Sequence, residues 1–374
     1  MNMKLDILTS ATVLLLLGTL ACGSKEEEEN KVIDRVAAPE SPFTPTDLEN
    51  TIDDLIDAIS KTKARSLQLG VVLKTLNAYW EPVNVGASRA LGELDVPGEV
   101  VAPTEDTEEE RTARQLKILR AQQGEGYDGV GIAPMATDLT EEIDKAVEAG
   151  IPVVTIDSDL PDSKRQMYIG TMNKEAGETA ANTLLDLMKA KEGTVILLGH
   201  DQKDDWPDGY NRTMGTKNVL EDAGFTVVIR RSTWTDTGEE EDVAALKQIL
   251  LDADPPAVGM IGLFSNAYRN AMAAEEAEMT AADLTLVAFD FDPKTLDYME
   301  SGLIKATHVQ RQYYMGYLVP YVLYGFDVLG VKKTKGILDA HMVDGERFNA
   351  GLDVVAAKQI EDYNDFLDSL GIGG

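Results

Sequence analysis

Ten short apolar runs, separated by amphipathic stretches, constrain the fold of this chain more than any other feature. They cover 67–73, 100–102, 129–133, 152–157 and 167–170, then 194–198, 226–229, 257–264, 284–291 and 304–309. A long helix-like stretch, 174–191, separates the two groups of five. Most of the runs are rich in Val and Ile and apolar without alternation, which suits strands buried on both faces of a parallel sheet. Repeated β–α units build doubly wound α/β sheets. The pattern predicts an α/β protein of two Rossmann-like lobes with parallel sheets. A chain of 374 residues is long enough for both.

Parallel sheets bind ligands beyond the carboxyl ends of their strands. The residues that end the runs are therefore the candidates for a site. Lys74 and Asn77 follow the first run, Asp157 ends the fourth, and Asn266 follows the eighth. Asp290 ends the ninth and Gln310 follows the tenth. Charged or amide groups at five strand ends form a constellation rather than a scatter of loop polarity.

The N-terminus reads as an export signal. An apolar run over 11–21 leads into Cys22, the only cysteine of the chain. That order is similar to a bacterial lipoprotein signal, with cleavage before Cys22 and a lipid on its thiol. An ordinary secretory signal is the alternative, and both export the protein. The run is shorter than the roughly 20 apolar residues of a membrane span. Residues 23–45, rich in Glu, Pro and Thr, are expected to form a flexible tether. A helix is expected over 46–63, opened by a Thr46–Glu49 capping box, with Leu48, Ile52, Leu55, Ile56 and Ile59 as a docking stripe.

Charge and motif spacing exclude several classes. The chain carries 65 acidic against 34 basic residues, a net charge of −31. Such a surface repels nucleic acid and anionic membranes. One cysteine leaves no intramolecular disulfide. His200, His308 and His341 lack metal-ligand spacing, and the acidic stretch 201–209 misses the calcium-loop pattern. No motif requires a cofactor. The G-x-G-x-x-G match at 124–129 follows a helix-like segment and enters a strand, the reverse of a dinucleotide fingerprint. The carboxylate pairs Asp157/Asp159 and Asp290/Asp292 straddle strand ends, so neither pair need converge.

A set of motifs in one collinear order resembles the type I periplasmic sugar-binding proteins, the ribose-binding group. Lys74-Thr-Leu-Asn77-Ala-Tyr79-Trp80 is similar to the group's K-T-L-N-N-P-Y-W, one residue shorter and without the proline. Gly150-Ile-Pro-Val-Val-Thr-Ile-Asp157 resembles A-G-I-P-V-V-T-x-D, with Ser158 where the group often has Arg. Tyr168-Ile-Gly-Thr-Met-Asn173-Lys-Glu-Ala-Gly177 resembles Y-V-G-T-D-N-x-x-A-G. Arg212-Thr-Met-Gly215, Val287-Ala-Phe-Asp290 and Ala306-Thr-His-Val-Gln310 resemble three further elements of the group.

The resemblance implies that Tyr79 and Trp80 stack on sugar faces. It implies that Asp157, Arg212, Asn266, Asp290 and Gln310 hydrogen-bond the hydroxyls, with Lys74 and Asn77 lining the first loop. It also implies a three-crossing hinge, near 171–174, 309–312 and 335–350. The N-terminal lobe would hold 66–171 and 311–336, and the C-terminal lobe 173–310 and 337–357. Residues 1–22 would be the signal, 23–65 the acidic tether and helix, and 358–374 a C-terminal helix and tail. The expected function is an exported, lipid-anchored, monomeric binding protein that delivers a sugar to an ABC transporter permease, and not an enzyme. A sugar sensor or chemoreceptor partner of the same fold is one alternative. A sugar-active enzyme using Asp157 and Asp290 is another.

Overall fold

The computed structural model describes residues 30–204, 206–233 and 238–373. Cys22 and the apolar run before it lie outside the described residues. A helix, α1 (Thr46–Ser60), precedes the first lobe. The lobe then runs β1 (Leu69–Val72), α2 (Glu81–Glu93), β2 (Gly98–Val101), α3 (Glu108–Glu125), β3 (Gly129–Ile132), α4 (Thr140–Glu148), β4 (Val153–Ile156) and β5 (Met167–Gly170). Every residue of β1, β3, β4 and β5 is buried, whereas the edge strand β2 is exposed to half-buried. Gly126 ends α3 in a left-handed cap, so the G-x-G-x-x-G stretch stops a helix rather than opening one.

The second lobe repeats the plan. It comprises α5 (Asn173–Leu187), β6 (Thr194–Gly199), α6 (Pro207–Asp222), β7 (Thr226–Arg231), α7 (Gly238–Asp252), β8 (Ala257–Gly262), α8 (Tyr268–Glu276), β9 (Thr285–Phe289), α9 (Pro293–Glu300) and β10 (Ile304–Gln310). The chain then returns through α10 (Gln312–Val328), α11 (Val331–Ile337), β11 (Met342–Val343), β12 (Arg347–Asn349), β13 (Leu352–Ala356) and α12 (Ile360–Ser369). Among the described residues the first sheet has the order β11-β12-β5-β4-β3-β1-β2 and the second β13-β10-β9-β8-β6-β7. In each lobe the first strand sits between the second and the third, and all pairs within each set of five are parallel.

Helix α10 is buried on all sides over residues 312–326. It lies on the first sheet and is covered by α1, α2 and α11, which explains its unbroken apolar and tyrosine content. The stripe of α1, from Leu48 to Ile59, is buried in this same core.

Three expectations need correction. Residues 337–349 were expected in the C-terminal lobe, but β12 pairs with β5 and β11 with β12, in the first sheet. The chain crosses back only at 350–351, and β13 alone joins β10 of the second sheet. The capping box does not form: Pro45 is the N-cap of α1, and Glu49 ion-pairs with Arg35 instead. Residues 30–45, expected within the tether, run along the body. Arg35 bridges Glu49 and Asp53, one turn apart on α1, and Phe43 packs edge-on against Tyr363 of α12 at 4.8 Å. Scattered contacts anchor this stretch, among them the Lys31 N–H on Thr62 O, the Arg89 guanidinium on Val36 O, the Arg35 pairs and the Phe43 ring, so it carries no apolar periodicity for a sequence pattern to reveal.

Candidate functional site

Two aspartates hold equivalent stations in the two lobes. Asp157 follows β4 and Asp290 follows β9, and each has φ of +63°. Aspartate is among the few residues that enter the left-handed region readily, because its short polar chain bonds locally. Each also donates its backbone N–H to the neighbouring strand, Asp157 to Ile169 O at 3.0 Å and Asp290 to His308 O at 2.9 Å. The turn aims both carboxylates off the carboxyl ends of the sheets, into the space between the lobes.

A cavity of about 320 Å³ fills that space. The first lobe supplies Lys74, Asn77, Tyr79, Trp80, Asp157 and Ser158 to its wall. The second supplies Asp208, Arg212, Phe264, Ser265, Asp290 and Gln310. Eight of the nine residues read from the sequence therefore meet around one cavity, the exception being Asn266. Asn266 is buried, but its amide donates to the Ser232 hydroxyl, and its neighbour Ser265 takes the wall position.

The polar groups are held in a chain of hydrogen bonds. Arg212 donates to Asn173 Oδ1 at 3.0 and 2.7 Å, to Leu263 O at 2.9 Å and to Gln310 Oε1 at 3.1 Å. Gln310 in turn donates to Asp290 Oδ1 at 3.0 Å. The guanidinium lies over the rings of Phe289 and Phe264, 4.5 and 5.5 Å from their centroids. A fixed planar cation of this kind orients its neighbours without reorganising. Across the cleft, Lys74 donates to the Ser158 hydroxyl at 2.6 Å, and the Tyr79 hydroxyl donates to Asp157. Asn77 uses its side-chain oxygen to accept the N–H of Tyr79 at 3.0 Å, which turns the chain into α2 and presents Tyr79 and Trp80 edge to face.

Burial raises the Asp290 carboxyl to about 6, against the opposing pull of Arg212. Asp208 is raised to about 6 as well, by burial first and then by Asp157 and Asp159. Burial and the Asp157 and Asp290 carboxylates hold the Tyr79 phenol well above its usual range, so it remains a donor. Neither Asp-x-Asp pair converges. Asp159 is taken by Arg165 and Asp292 caps α9.

Asp208, Ser158, Asn173 and Met135 line the cavity without having been singled out as ligand groups. Asp208 sits in the first turn of α6, and its carboxylate accepts the Asp159 N–H at 3.3 Å across the cleft. Its position follows from lobe packing, for which the acidic stretch that contains it offers no local signal. Among the described residues, no cluster of His, Cys, Asp or Glu is arranged to hold a metal ion, and no helix is long and apolar enough to cross a membrane.

The fold has solved counterparts. The arabinose-binding protein AraP of Geobacillus stearothermophilus is 25% identical over 79% of this chain and 99% of its own, with a TM-score of 0.66. The glucose-galactose binding protein GanP of the same organism is 26% identical over 79% and 99%, with a TM-score of 0.62. A periplasmic ribose ABC transporter structure from Conexibacter woesei, only 15% identical over 82% and 97%, has the same fold at a TM-score of 0.68. No curated protein matches the chain. Residues 69–326 match the family model described as a periplasmic binding protein domain, so the chain belongs to the periplasmic binding protein family.

Proposed function

We propose that this chain is an exported, lipid-anchored, monomeric binding protein that captures a sugar between its lobes and delivers it to an ABC permease. One observation carries the reading: a single cavity is walled from both lobes by aromatic rings and by planar groups that donate and accept hydrogen bonds. A sugar presents apolar C–H faces and a rim of hydroxyls. Tyr79, Trp80 and Phe264 suit the faces, while Asp157, Asp290, Gln310, Arg212 and Lys74 suit the rim. Bonds to the charged groups are roughly twice as strong as neutral ones. The sugar-binding names of AraP and GanP support the same ligand class.

Capture proceeds by hinge closure. A ligand bonded to both Asp157 and Asp290 gains its full set of contacts only when the lobes meet, so binding draws the population to the closed form. The closed pair of lobes is the surface offered to the permease, and no covalent bond changes. Cys22 behind its apolar run supports the lipid anchor. The test is a titration of tryptophan fluorescence against pentoses, hexoses and polyols, with product analysis of each mixture. A saturable change with unaltered sugar is the expected result. Turnover of the sugar, or silence across the panel, overturns the reading. Cys22→Ser is expected to move the protein from the membrane fraction to the soluble one.

A further inference from the structure

We propose that the preferred ligand is a two-unit glycoside, with one ring in the cavity between the strand ends and the next ring in a second cavity beside it. This rests on the sugar-binding reading above and narrows its substrate class. The second cavity, about 580 Å³, is the larger of the two. The inner one lies at the small end of the range for ligand pockets, about 300–1,000 Å³. The two meet at Tyr79, Ser265 and Asp290, which line both. Under this proposal the substituent next to a ring bonded at Asp290 occupies the outer space.

The outer walls come from three places. Pro82 belongs to α2, Leu296 to α9, and Leu367 and Ile372 to the C-terminal helix and the tail behind it. The tail is a built wall: Ile372 N–H donates to Leu367 O at 3.0 Å. Apolar surfaces from Pro82, Phe291, Leu296 and Ile372 alternate with the carboxylates of Glu81 and Asp292 and the amide of Asn364. That mixture serves another pyranose, whose faces are apolar and whose edge is hydroxylated. A wholly apolar guest leaves the Glu81 carboxylate and the Asn364 amide without the partners they had in water.

The experiment compares matched pairs. Glucose, galactose, xylose and arabinose are titrated beside disaccharides carrying each of them at the non-reducing end. For the sugar that binds, the second unit is expected to raise affinity by at least about tenfold, which is 1.4 kcal/mol. Leu296→Trp, and independently Ile372→Trp at the tail, add bulk to the wall and narrow the outer cavity. Both are expected to drive the ratio of the two affinities toward one. A second unit that brings no gain, or a gain that survives both substitutions, overturns this inference and leaves monosaccharide capture standing. Failure of every sugar, single or paired, overturns both.

Discussion

Asp290 accepts from Gln310, which is fixed by Arg212, so the carboxylate is held in one orientation for the proposed sugar hydroxyls. Removing it deletes charge-assisted bonds worth roughly 1.5–3 kcal/mol each. Asp290→Ala is therefore expected to weaken sugar binding at least tenfold while leaving the far-UV circular dichroism unchanged; retained affinity places the site elsewhere. Asp208 makes a different prediction. Its folded carboxyl titrates near 6, above the roughly 3.9 of an unfolded aspartate. Between those values the folded state holds more protons, so stability falls as pH rises through the window. The contribution is complete below about pH 4 and lost above about pH 6. Asp208→Asn keeps an oxygen for the Asp159 N–H and removes the titration. The variant is expected to gain roughly 1–3 kcal/mol at about pH 8 and nothing at about pH 4, read by urea denaturation. A constant offset at both pH values removes the titration argument. The strand-end aspartates were legible because each terminates an apolar run. Asp208 was not, because its place in the cavity depends on how the second lobe faces the first.

Helices carry the next level of order. Gly86 of α2 and Gly316 of α10 face each other so closely that a Cβ on Gly316 meets the Val83 carbonyl oxygen at 2.0 Å, and one on Gly86 meets Tyr313 O at 2.2 Å. The second lobe repeats the contact between α5 and α6, where Gly177 meets Arg212 O at 2.0 Å and Gly215 meets Lys174 O at 2.2 Å. These crossings set the start of α2, with Tyr79 and Trp80, and the height of Arg212 on α6. Gly316→Ala is expected to cost about 1–3 kcal/mol through overpacking. Gly336→Ala, in α11 with nothing within 4 Å, is expected to gain up to about 1 kcal/mol from helix propensity. Thermal denaturation of the pair separates crowding from propensity, and equal effects from the two would sink the close-packing account. The glycines explain why the motifs around Gly177 and Gly215 were readable: each pairs a polar site residue with the small residue that lets its helix approach. The inner strands were readable for a simpler reason, since burial on both faces removes polar alternation. β11 and β12 were not, because strands of two and three residues leave no period to detect.

At the scale of the molecule, the lobes are joined where β5 leads to α5, where Arg311 leads from β10 to α10, and where 350–351 links β12 to β13. The placement of 337–349 depended on which sheet edge lay open, a property of the assembled fold and of no local segment. At the third crossing Gly351 has φ of +92°, and a Cβ there stands 2.4 Å from the Arg311 guanidinium. Arg311 in turn pairs with Asp353 at 2.7 Å, which ties the second and third crossings together. On the proposed hinge closure, bending is confined to a few backbone torsions at these crossings while each lobe moves as a unit. Closure on a sugar then has two linked signatures. Ligand at a hundred times its dissociation constant adds about 2.7 kcal/mol to the stability of the bound form. The radius of gyration from small-angle X-ray scattering is expected to fall on addition of the sugar. Asp290→Ala, which lacks one of the two strand-end carboxylates proposed to draw the lobes together, is expected to gain no more than about 1.4 kcal/mol at the same sugar concentration, as tenfold weaker binding requires, and to contract less. A wild-type protein that gains stability without contracting would mean that the cavity is preformed, and hinge closure would have to be abandoned as the means of capture.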